Sequence, residues 1–117
     1  MLQDAVNLLL TLQNPDGGWG AVAGRRSNTE MTALSVLALQ ALGKNSGASA
    51  SLQKGTRWLI ERQNADGSWP INENAKGPSW ATAIVIIALS GAPEYRAQVV
   101  KAGHWALEQE GGKPGIL

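Results

Sequence analysis

Cysteine is absent from the 117 residues, and histidine and tyrosine occur once each. Without thiols the chain has no disulfide staple, no thiol nucleophile, no thioester chemistry and no thiolate-bound zinc. With His104 the only histidine, a histidine metal site cannot be assembled either, and no cofactor is implied. Charge is also scarce: 16% of residues are charged against 44% hydrophobic, which describes a chain that buries a core under a thin polar coat and is not disordered. The 10 Lys and Arg nearly balance the 9 Asp and Glu, for a net +1, and they are dispersed, so no basic stripe exists to hold nucleic acid. Long apolar runs are missing as well. The longest, Trp80 to Ala92, falls short of the ~18 residues that a membrane span needs. Met1-Leu2-Gln3-Asp4 is not a basic segment followed by an apolar stretch, so no secretion signal is recognisable. The expectation is a soluble chain, cytoplasmic or peripheral at a membrane surface, at the usual size of one domain.

What the chain does have is a repeat. Shifting the sequence by 50 residues places Gln13 on Gln63, Asn14 on Asn64, Asp16 on Asp66, Gly17 on Gly67 and Trp19 on Trp69 without a gap. Thr32, Ala33, Ala38 and Leu39 fall in the same way on Thr82, Ala83, Ala88 and Leu89. A third copy begins near Lys101, where Lys101, Trp105 and Glu108 echo Lys54, Trp58 and Glu61, but no later Gly-x-Trp follows.

Each unit reads as two helices of different character. The first, Gln3 to Leu12, carries Ala5, Leu8, Leu9 and Leu12 at the spacing of one buried face, and its counterpart, Leu52 to Gln63, is likewise amphipathic. The second helix of each unit is apolar all round: Ala33 to Leu42 holds only Ser35 and Gln40 as polar residues, and Ala81 to Leu89 only Thr82. Such a helix must be covered all round. The pattern predicts an all-α fold of two layers, amphipathic outer helices shielding apolar inner ones. A fifth helix, Glu94 to Gln109, starts the next pair, with Pro93 suited to its first turn.

The connections Gln13 to Asn28 and Gln63 to Pro78 are longer than the ~4–6 residues usual between elements, so they need structure of their own. Asn-Pro-Asp-Gly-Gly and Asn-Ala-Asp-Gly-Ser supply a turn: Asp bonds nearby amides, and Gly17 or Gly67 takes a positive φ without steric cost. Trp19 and Trp69 sit just past these turns, where a flat ring covers a helix end or a neighbouring hairpin.

Lys54-Gly55-Thr56-Arg57-Trp58-Leu59, followed by Gln63, Gly67 and Trp69, spells K-G-x-x-W-L-x-x-x-Q-x-x-x-G-x-W. This resembles the QW repeat of the squalene-hopene and oxidosqualene cyclase family, whose helical hairpins form a toroid shared with protein prenyltransferase β subunits. The resemblance covers Asp4 to Ala92. It implies that Gln13, Gly17, Trp19, Gln63, Gly67 and Trp69 are structural clamps tying the end of one outer helix to the next. A buried Gln suits that role, since it offers donors and an acceptor to orphan groups at helix ends.

In hopene-type cyclases a D-x-D-D-T-A motif at the mouth of an inner helix provides the acid that starts cyclisation. The similarly placed segment here is Asn28-Thr29-Glu30-Met31-Thr32-Ala33, so Glu30 is the single candidate general acid. It lacks the neighbouring carboxyls that help make a strong, preorganised acid. Its other reading is a capping box, with Ser27 as the N-cap and Glu30 reaching back to it. The position equivalent to Glu30 in the second unit is Trp80, either a cavity-lining aromatic or a packing residue, with Ser79 as a plausible N-cap. Arg25-Arg26 reads as a solvated pair, His104 as a surface residue, and Asp16 and Asp66 as turn residues.

The expectation is therefore a single domain over residues 1–117, an arc of an α/α toroid: repeat 1 over 3–50, repeat 2 over 51–92, and the start of repeat 3 over 93–117. An arc leaves apolar faces open. It calls for the remaining repeats of a longer protein or for self-association through the open ends. Two functions fit: a noncatalytic repeat scaffold that binds an apolar or isoprenoid ligand, or part of a cyclase that protonates a polyprene.

Overall fold

The computed structural model describes residues 2–42 and 47–109, so residues 110–117, assigned above to the third repeat, lie outside it. Five α-helices follow one another: α1 Leu2–Leu12, α2 Thr29–Leu42, α3 Ser49–Ile60, α4 Ala81–Leu89 and α5 Arg96–Gln109. A 3₁₀ turn, Pro93–Tyr95, leads into α5 with its proline in the first turn. No strand occurs among the described residues; the only β feature is an isolated bridge between Asn72 and Ala75 in a loop.

α1 and α4 run where the sequence places them. α2 starts four residues before Ala33, because the Asn28 side chain accepts the Met31 N–H at 2.8 Å and caps the helix there. The capping box on Ser27 is not formed. The Ser27 hydroxyl instead donates to Asp16 at 2.7 Å and accepts from Asn14 at 3.0 Å. α3 lies three residues upstream of the expected Leu52–Gln63, since the chain after Ile60 tightens into i→i+3 bonds, Arg62 N–H to Leu59 O at 3.0 Å among them.

Packing follows the two-layer idea with one rearrangement. α2 packs against α1, α3 and α4, and α4 packs against α2 and α5. The two inner helices pack most extensively on each other, and of its two outer neighbours each packs more closely against the one that follows it than the one that precedes it. The reason is in the connections: the residues joining α1 to α2 insert Trp19 into the core, where it joins Val6, Leu39 and Ala48. A second cluster unites Val36 of α2, Trp58 and Leu59 of α3, Trp69 of the connection after α3, Val85 and Leu89 of α4, and Ala102 of α5. Each fully buried aliphatic residue of this kind contributes roughly 1.5–3 kcal/mol.

Two expectations about faces are corrected. α1 buries Val6, with Leu9, Leu10 and Leu12 partly covered, while Ala5 and Leu8 face out, Leu8 being 59% exposed. Four apolar residues at helical spacing did not identify the buried stripe, because Val6 and Leu10 form a competing one and the neighbouring Trp19 selects between them. The inner helices are also not covered all round. Leu34 and Ala41 on α2, and Ala83 and Ile87 on α4, are exposed.

Candidate functional site

The two connections build the same device twice. After α1, Asn14 N–H donates to Gly18 O and Gly17 N–H to Asn14 O, closing a turn in which Gly17 has φ 99°. A Cβ on Gly17 would lie 2.8 Å from the Lys54 carbonyl oxygen, so the turn touches the backbone of α3 directly. The Gln13 amide then donates to Gly17 O at 2.9 Å and to Ser51 O at 3.0 Å, linking the turn to α3. The Trp19 indole N–H donates at 2.9 Å to Leu9 O, near the end of α1, which also accepts the Gln13 N–H at 3.2 Å. Its ring lies against Gly55, where a Cβ would come within 3.0 Å of it. Gly55, the glycine of K-G-x-x-W, is thus the notch that admits Trp19.

Fifty residues on, Gln63 donates to Gly67 O at 2.9 Å and to Gln98 O at 3.0 Å, and the Trp69 indole donates to Leu59 O at 2.7 Å. Gly67 has φ 97° and abuts the Lys101 carbonyl of α5. The structure thus brings together all six residues suggested as clamps, in two sets of three, each set bridging one outer helix to the next.

Three participants escaped the sequence reading. Thr32 and Thr82 accept the backbone N–H of Trp19 and Trp69 through their hydroxyls, at 2.9 and 2.7 Å, pinning each tryptophan to the start of an inner helix. Their recurrence at a shift of 50 was the available signal. Asp16 is more than a turn residue. One carboxylate oxygen accepts the Gly18 N–H and the Ser27 hydroxyl, and the other accepts the Trp58 indole N–H at 3.1 Å, across to α3. Burial pushes the Asp16 pKa up, but the bonds from Gly18, Ser27 and Trp58 and the charge of Arg62 outweigh it, so the carboxyl stays below its ordinary 3.8. The Arg62 guanidinium stacks 4.0 Å over the Trp58 ring.

Glu30 and Trp80 take no part in these clamps and stand at the starts of α2 and α4. Glu30, Leu34 and Ala41 follow one stripe of α2 by helical spacing, and Trp80, Ala83 and Ile87 follow a stripe at α4, the two sharing only the Glu30/Trp80 position at a shift of 50. Glu30 is half-buried; Leu34 and Trp80 are each 42% exposed and Ile87 is 60% exposed. Trp80 precedes α4 without a side-chain cap of its own, and Ser79 serves that terminus by accepting the Ala81 N–H at 3.2 Å.

Other candidates disperse. His104 is exposed, and Arg26 reaches only Glu73, at 3.9 Å, with both side chains more than half exposed. Among the described residues no three His, Cys, Asp or Glu side chains gather as a metal site would require, and no helix is long and apolar enough to cross a membrane. The family model of the squalene-hopene cyclase N-terminal domain matches residues 2–114.

Proposed function

Because the chain belongs to the squalene-hopene cyclase family, we propose that it is one wall of an apolar cavity that holds an isoprenoid, squalene-like ligand, and that it is not catalytic by itself. The observation that carries this reading is the exposure of Leu34, Trp80 and Ile87 on or beside the inner helices, apolar surface that no described residue covers. Apolar faces of this kind mark binding grooves or interfaces. The remaining repeats of a longer protein, or a second copy of the chain, close the cavity. Trp80 lines it and presents a π face that suits an alkene or a developing carbocation.

The test is binding of squalene followed by tryptophan fluorescence. Saturable quenching is expected in the parent chain, and its loss is expected in Trp80→Ser and in Ile87→Ser, both of which alter exposed positions. Quenching that persists in Ile87→Ser would sink the proposal.

Glu30 supports a second reading as general acid, because Asn28 and not Ser27 caps α2, leaving Glu30 without a capping-box partner on the same stripe as Leu34. Against it stands its isolation: where the family motif carries further acids, the neighbours here are Asn28, committed to the cap, and Met31. A lone carboxyl is a poor donor to an alkene. If the scaffold reading holds, Glu30→Gln costs at most ~1 kcal/mol of stability and leaves turnover of a longer cyclase-like protein unchanged. Abolished turnover with an unmoved Tm would instead assign the proton to Glu30.

A further inference from the structure

A second site is marked by a difference between the repeats. Thr29, the first residue of α2, is fully buried, and its hydroxyl has no hydrogen-bond partner among the described residues. At the position 50 residues on, the Ser79 hydroxyl donates to Trp69 O at 2.8 Å and accepts the Ala81 N–H at 3.2 Å. One unit uses this hydroxyl in its own fold. The other leaves it over, and buried polar groups without partners are uncommon enough to require an explanation.

Thr29 borders a cleft of about 440 Å³ between the chain that leaves α3 and the loop that follows Trp69. Its backbone N–H is bonded to Ile71 O at 3.1 Å, which holds that loop against the start of α2. The cleft is also lined by Trp58 and the Arg62 stacked on it, and by Asn72 and Lys76.

The donors in this cleft exceed what the protein itself uses. Arg62 gives one N–H to Trp58 O at 3.1 Å and lies 3.7 Å from Glu61, leaving most of its guanidinium edge free. Asn72 spends its side-chain oxygen on the N–H groups of Asn74 and Ala75, at 2.8 and 3.0 Å, so its NH₂ remains. Lys76 forms no ion pair with a described residue. The two carboxylates at the rim each already have a cation nearby, Glu61 beside Arg62 and Glu73 beside Arg26. The surplus is in hydrogen-bond donors; in charge, Arg26, Arg62 and Lys76 stand against Glu61, Glu73 and Asp16.

We propose that this cleft binds a small oxyanion, a carboxylate or phosphate group, held by the Arg62 guanidinium edge and Lys76, with the Thr29 hydroxyl and the Asn72 amide completing its hydrogen bonds. A planar guanidinium fixed by stacking is well suited to such a group, because its donors are oriented before the ligand arrives.

The experiment is titration of the full chain with inorganic phosphate, and separately with acetate, at ionic strength held constant by chloride, read by ¹H–¹⁵N NMR. Saturable shifts of the Thr29 amide, the Asn72 side-chain NH₂ and the Trp58 indole are expected with at least one of the two anions. Lys76→Gln, at an exposed position, should weaken binding about tenfold, as expected for one lost charge-assisted contact. Thr29→Val should weaken it too while raising Tm in the absence of anion, since it removes a buried hydroxyl that has no partner. Shifts that match the chloride control, that spread over the whole surface, or that survive Lys76→Gln at unchanged affinity would overturn the proposal.

Discussion

The junction between α1 and α3 and the junction between α3 and α5 are the same design executed with different completeness. Both have the Gln amide reaching the next outer helix, the glycine with positive φ on its backbone, the indole bonded to the previous outer helix, and the threonine pinning the tryptophan. The first adds side-chain bonds that the second lacks. Ser51 donates to Gln13 Oε1 at 2.6 Å, Trp58 donates to Asp16, and Arg62 covers Trp58. In the second, Gln98 stands where Ser51 stood and its buried Oε1 has no partner among the described residues; Trp105 has no bond to Asp66, and Gln109 replaces Arg62. Bonds aimed at backbone persist because every residue offers the same backbone groups. Bonds between side chains need two particular residues at once, so they disappear when either one changes.

If that contrast is real, truncating the tryptophan of each outer helix should separate the junctions most strongly. Trp58→Ala is expected to cost about 3–5 kcal/mol in denaturant unfolding. Trp105→Ala should cost at least ~1 kcal/mol less, since its indole gives up no hydrogen bond; equal losses would break the comparison. Next comes the carboxylate. Asp16 accepts on both carboxylate oxygens, so Asp16→Asn sets its NH₂ against either the Trp58 indole or the Gly18 N–H and should cost about 1–3 kcal/mol, whereas Asp66, which accepts on one oxygen only, should tolerate Asp66→Asn within about 0.5 kcal/mol.

Acid titration sharpens the same point. The Asp16 carboxyl sits below its ordinary 3.8 in the folded chain, so its contribution is fully present above that value and is lost as pH falls through the lowered one. The Trp58 indole N–H resonance should therefore hold constant at neutral and mildly acidic pH and move only below about 3.8, while the Trp105 indole does not follow it. The smallest effect is a gain: Gln98→Ser restores the hydroxyl found in the first junction, removes an unpartnered amide oxygen and should stabilise by roughly 0.5–1 kcal/mol in thermal unfolding. A loss of stability would mean that the Gln98 stem packs better than the bond it displaces.

Much of this was legible from residue order. The helix pairs, the turn chemistry of Asp-Gly and the recurrence of Gln and Trp all follow from spacing, because they rest on local rules about backbone and on an internal repeat that checks itself. The helix ends were less legible. Ser27 and Asn28 are both good caps on paper, and the choice fell to Asn28 because Asp16 and Asn14, more than ten residues away, engage the Ser27 hydroxyl. The candidate site divides in the same way. The recurrence of Gln13, Gly17 and Trp19 as Gln63, Gly67 and Trp69 was readable, while the Asp16–Trp58 bond, spanning 42 residues, and the leftover hydroxyl of Thr29 were not.

The order of residues alone determined that this chain is helical, that it repeats, and which helices are greasy all round, since periodicity and composition are properties of neighbours along the chain. Only the tertiary structure decided which stripe of α1 turns inward, that each inner helix packs more on the outer helix after it than on the one before, and that Leu34 and Ile87 stay exposed. Those outcomes depend on what stands opposite a surface. An apolar stripe is a requirement for a partner, and the sequence of the stripe does not say whether the partner is Trp19, a neighbouring helix or a ligand.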